Sequence, residues 1–137
     1  MKYLLDVNAL VAFGFFDHVF HQQLARWVRY LGALANDPEL ATCAITELGF
    51  VRILAQAPQY GLTVNEARTL LGRMKTEGGL KFSFVADDQD ASRLPGWVKM
   101  PKQVTDGHLV QLAKANGGVL ATLDRNIPGA FVIPKEV

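Results

Sequence analysis

The chain has 137 residues, half of them apolar, enough for one sizeable core and too few for two ordinary domains, so a single domain over residues 1–137 is expected. A formal charge of +1 averages away any local basic patch and is therefore silent about nucleic acid. The single cysteine, Cys43, excludes an internal disulfide and fits a reducing cytoplasm, where it would act as small core filler in a strand. The longest apolar or glycine run, Ala9 to Phe16, falls far short of the ~20 residues that span a bilayer, so no membrane partner is expected. Asp6, Asp17, Arg26 and Arg29 interrupt any export signal built on Lys2 and the first apolar residues.

In chain order, Lys2 to Leu5 predicts a first strand and Asn8 to Phe16 a helix. Val19, Phe20, Leu24, Trp27, Val28, Leu31 and Leu34 mark a longer amphipathic helix that Asp37-Pro38 stops. Leu40 to Cys43 reads as a second strand feeding a helix from Ile45 to Ala55, and Pro58 to Gly61 form the break. Thr63 and Glu66 have capping-box spacing ahead of the stripe Ala67, Leu70, Leu71 and Met74; Gly78-Gly79 closes that helix. Lys81 to Ala86 is a third strand, followed by an acidic loop around Asp87 to Pro101 and a helix from Thr105 to Asn116 closed by Gly117. Gly118 to Leu123 is a fourth strand, and a short final one is expected near Ala130 to Ile133. Strands separated by helices imply a parallel sheet covered on both faces, with sites at the carboxyl ends of the strands.

Four acids fall on that edge. Asp6 and Asp124 directly follow strands, while Glu47 and Asp106 occupy first helical turns, where the helix dipole favours negative charge. At about 100° per residue, Glu47 lies roughly 40° from Val51 and 20° from Leu54, so it follows the apolar stripe. Asp106 shares a face with Leu109 and Ala113. Any one of these acids alone reads as a helix cap, Asp106 beside Thr105 above all. Together, carboxylates at 5 Å and an effective dielectric of 20 would repel by roughly 3 kcal/mol per pair, which a divalent cation relieves. Hard oxygen donors suit Mg²⁺ or Mn²⁺, which keep open positions for a phosphate and an attacking water.

The residues around the acids resemble a known family. Leu4-Leu5-Asp6-Val7-Asn8, Ile45 to Arg52, Thr105-Asp106-Gly107-His108-Leu109 and Ala121 to Asn126 are similar, in order and spacing, to the PIN domain of VapC toxins from bacterial type II toxin–antitoxin pairs. The likeness runs from residue 2 to about 132; it departs at Gly107, where a bulkier residue is expected, and at Leu48, often polar in related toxins. The resemblance implies a three-layer α/β/α fold around a mostly parallel sheet of about five strands, and a Mg²⁺- or Mn²⁺-dependent endoribonuclease. It places Asp6, Glu47, Asp106 and Asp124 on the acidic quartet, with Asn8, Thr46, Thr105, Thr122 and Asn126 in support. It also implies an RNA substrate, a small VapB-like antitoxin that covers the site, and a homodimer.

Other residues have plainer readings. His18 and His21 have helical ligand spacing, but no further Cys or His set accompanies them. His108 stands roughly 160° around the helix from Asp106 and points away from the acids. Arg52 and Arg125 are candidates for RNA phosphate, or for pairing with a neighbouring acid. Phe13, Phe15, Phe16, Phe20 and Trp27 exceed what one helical face buries, so core packing competes with a dimer or antitoxin groove. Trp97 packs on the sheet or stacks on a base. An aspartate-based phosphotransfer domain is the rival enzyme, but it wants a second acid where this chain has Asn8, and there is no P-loop. A non-catalytic PIN-like module is the other rival, and it would most often lack one of the four acids.

Overall fold

Pairs of successive buried residues, Leu4 and Leu5, Leu40 and Ala41, Leu120 and Ala121, require strands covered on both faces, because neighbouring side chains point opposite ways. A computed structural model describing residues 1–137 shows this arrangement. The strands are β1 (Lys2–Leu5), β2 (Glu39–Cys43), β3 (Lys81–Val85), β4 (Gly118–Thr122) and β5 (Phe131–Val132). They form one sheet in the order β3-β2-β1-β4-β5, with every pairing parallel. Helices α1 (Val7–Gly14), α2 (His21–Gly32), α3 (Ala44–Gln56), α4 (Val64–Glu77) and α5 (Val104–Ala115) connect them.

The helices divide unequally. Leu10, Leu24, Trp27, Phe50, Leu54 and Leu71, from α1 to α4, pack with Leu5, Leu40 and Ala121 on one face of the sheet. Leu109, Leu112 and Ala113 of α5 pack with Leu4, Ala41, Cys43 and Leu120 on the other, with Trp97 laid against that second core. The result is the three-layer α/β/α, PIN-like architecture.

Local signals act as expected at several ends. Thr63 and Glu66 exchange both bonds of the capping box, and Gly117 closes α5 at φ 75°. The second helix is shorter than its apolar stripe suggests: it starts at His21, because His18 N–H and His21 N–H bond the carbonyls of Phe15 and His18 in successive turns. Val19 is left 82% exposed there and Phe16 76%. The loop after β3 contains two single 3₁₀ turns, Ala91–Arg93 and Pro101–Gln103. No helix is long and apolar enough to cross a membrane.

Candidate active site

The strand order reverses between β1 and β4, and the segments leaving those strands open the crevice where parallel sheets place ligands. Asp6 is the hinge from β1 to α1. Its backbone N–H completes the ladder to the Ala121 carbonyl, and its Oδ1 caps α1 by accepting the Ala9 N–H at 2.8 Å. Its Oδ2 accepts the Thr122 hydroxyl at 2.5 Å. The same hydroxyl oxygen accepts the Asp124 N–H at 3.0 Å, so one threonine ties the ends of β1 and β4 together. Asp124 is exposed, and its Oδ1 accepts the Asn126 N–H at 2.8 Å. Asp106 sits half-buried in the first turn of α5.

These three aspartates act on one another. Asp6 is only 7% exposed, and burial pushes its carboxyl above the ordinary range; the Thr122 and Ala9 hydrogen bonds oppose this, and the charges of Asp106 and Asp124 add to it. Burial and then Asp124 raise Asp106 in the same sense. Carboxylates held so are an all-oxygen set lacking a counter-charge, the donor chemistry that a hard divalent cation takes.

Glu47 departs from the expected convergence. Its side chain is largely buried, as the helix geometry suggested, yet its Oε2 accepts the Lys75 ammonium at 2.6 Å and the Thr42 hydroxyl at 2.5 Å. Lys75, also 5.6 Å from the Phe84 ring centroid, supplies from α4 the positive charge that the aspartates lack. No three His, Cys, Asp or Glu side chains stand close enough together to hold a metal ion. The structure thus brings Asp6, Asp106 and Asp124 into one electrostatic group and draws Glu47 aside.

The supporting positions also divide. Thr122 contacts Asp6, as described. Thr46 is buried, but its hydroxyl bonds the Cys43 N–H and carbonyl and caps α3, touching no acid. Thr42, one strand position before Cys43, bonds Glu47 instead. Asn8 and Thr105 are exposed, and Asn126 engages Asp124 through its backbone. Arg52 and Arg125 are exposed and enter no ion pair. They flank the acids: Arg52 lines a cleft shared with Glu47, and Arg125 a groove shared with Phe20 and Val132. His108 pairs with Asp87 at 2.5 Å. His18 Nδ1 accepts from Phe20 N–H while His21 Nδ1 donates to the Ala12 carbonyl, so the two make no joint site.

The departures from the expected pattern have physical consequences. A Cβ on Gly107 would run into Val98 Cγ2, so a glycine there lets the loop close over α5. Leu48 stands 69% exposed on the wall of the cleft beside Glu47.

The chain matches no protein-family model. It is 34% identical to Ribonuclease VapC38 of Mycobacterium tuberculosis H37Rv over 140 residues, covering 97% of this chain and 90% of that protein. It is 38% identical to Ribonuclease VapC44 of Mycobacterium tuberculosis CDC 1551 over 143 residues, covering 95% and 94%. Ribonuclease VapC29 of the same strain is 33% identical over 127 residues, covering 93% and 89%. With that identity spread over nearly the whole of both partners, and aspartates grouped at the switch point of a parallel α/β/α sheet, the chain belongs to the VapC-type PIN-domain family.

Proposed function

We propose that this chain is the toxin of a VapBC-type pair, a Mg²⁺- or Mn²⁺-dependent endoribonuclease of the cytoplasm that hydrolyses RNA phosphodiesters. The observation that carries the reading is Asp6, buried at the end of β1 with Asp106 and Asp124 raising its carboxyl further. Such an arrangement opposes its own charge unless a cation joins it. Asp6, Asp106 and Asp124 are the residues that would hold the ion by closing on it from their present wider spacing, and Glu47 completes the set if Lys75 yields it. When bound, the cation supplies Lewis-acid activation of water and of the phosphoryl group.

The chain's own groups do the rest. Thr122 fixes the rotamer of Asp6 and, with the Asn126 N–H, the course of the Asp124 turn. Such bonds to metal-holding carboxylates set their orientation. Arg52 and Arg125, unpaired on either side of the acids, bind the phosphates that flank the scissile bond. Exposed Phe16, Val19 and Phe20 offer an apolar patch to a VapB-like antitoxin or a second copy.

RNA cleavage in magnesium, abolished by chelation, is the expected result. Asp106→Asn keeps its place on α5 but loses its charge, and should lower turnover by at least about a hundredfold with the fold retained by circular dichroism. Unchanged turnover by this variant would exclude the proposal.

A further inference from the structure

Between α3 and α4 runs a cleft of about 630 Å³ lined at one end by the Glu47–Lys75 pair, on the helix that follows β2, the strand next to β1 and Asp6. Four of its lining residues are apolar, and two of these stand open: Leu48 is 69% exposed and Val64 55%. Three cations line it. Lys75 is spent on Glu47, whereas Arg52 and Arg68 enter no ion pair. Arg68 projects from α4, and no sequence motif singles it out.

We propose that this cleft holds a nucleotide of single-stranded RNA next to the scissile phosphodiester, with Arg68 and Arg52 on its phosphates and its base or ribose against Leu48 and Val64. The assignment rests on the endoribonuclease reading above and adds a subsite to it. Two free guanidiniums call for an anion with several oxygens. Exposed leucine and valine beside them call for a flat apolar group, and only an unpaired strand offers both in one residue. The direction of the strand also fits. Glu47, Asp6 and Asp124 follow β2, β1 and β4, which are neighbours in the sheet, and Arg125 lies past Asp124. Arg52 thus lies on the β2 side of the acids and Arg125 on the β4 side, which suits an extended polyanion crossing the sheet edge.

Gly72 supplies a test that spares the fold. It lines the cleft, is exposed, and a Cβ there meets nothing within 4 Å, so Gly72→Glu puts a carboxylate into the cleft while adding a better helix former. Binding of short single-stranded RNAs of randomised sequence, read by fluorescence anisotropy in chelator over a salt series, compares wild type, Arg68→Ala and Gly72→Glu. Magnesium-dependent cleavage of the same RNAs is measured in parallel. Arg68→Ala should weaken binding roughly fivefold to tenfold and shallow the log–log salt slope by about 0.7. Gly72→Glu should weaken it by more than about tenfold at an unchanged or higher melting temperature. A wild type that cleaves RNA while both variants bind like it would overturn the cleft assignment and leave the ribonuclease reading standing. Cleft-dependent binding without any cleavage would do the reverse. Wild type that binds no RNA, or duplex RNA that binds with the same dependence on Arg68, would also overturn the assignment.

Discussion

At Asp6 one carboxylate caps α1, accepts the Thr122 hydroxyl and lies beside two other acids. Burial, then its acidic neighbours, hold its carboxyl above the ordinary range against those two hydrogen bonds, so the folded chain favours the protonated form. The linkage has a definite sign. Below the ordinary carboxyl range the group is protonated folded or unfolded and carries no penalty; as pH rises through that range toward the raised folded value, stability is lost. Asp6→Asn removes the charge, keeps a good N-cap, and presents its amide to the remaining lone pair of the Thr122 hydroxyl. In chelator the variant should therefore melt above wild type at neutral pH, with the gap closing as pH falls through the carboxyl range. Thermal melts across that range check this, and a wild type that is the more stable at neutral pH would contradict it. Asp87 and Asp90 have the opposite sign. Asp87, against the cost of burial, is held low by His108, and Asp90 by Ser92, so both lend stability that disappears as pH falls. They are common to both proteins, and the comparison cancels them.

Two helical glycines show how elements carry the site. A Cβ at Gly107 meets the stiff Val98 side chain, so Gly107→Ala should cost about 1–3 kcal/mol and push the covering loop off the turn that holds Asp106, lowering cleavage with stability. Gly72 sits on open α4, so Gly72→Ala should stabilise by about 0.5–1 kcal/mol. Denaturant melts of the two variants should move in opposite directions, and the same sign for both would defeat the packing argument. Elements were also the scale at which the sequence was most legible. Strands separated by helical stripes implied the parallel sheet, and aspartates after β1 and β4 implied the edge where they meet. Two features escaped for physical reasons. The apolar Val19 and Phe20 match the stripe of α2, and only the turns through His18 end it. The Lys75–Glu47 pair joins residues 28 apart on different helices, a tertiary contact that no local spacing records. Thr46, which the resemblance sets in support of the acids, instead spends its hydroxyl on the helix start at Cys43.

Over the whole molecule, the formal charge of +1 hides an uneven field, with aspartates collected at the switch point, Arg52 and Arg125 to either side, and Lys75 closing off Glu47. A cation that binds the folded edge and not the unfolded chain stabilises by about 2.7 kcal/mol at a hundred times its dissociation constant, or roughly 10 °C in melting temperature for a chain of this size. Binding needs the carboxylates ionised, so this gain disappears as pH falls through their range. The sign is the reverse of the contribution Asp6 makes in chelator. Wild type minus Asp6→Asn should accordingly be negative at neutral pH in chelator and positive in saturating manganese, converging at low pH in both. The crossing is the signature of a cation held by these aspartates, because a generic effect of salt on the +1 surface would move both proteins together. A melting temperature indifferent to manganese at neutral pH would leave the three aspartates without the counter-charge on which the proposed chemistry depends.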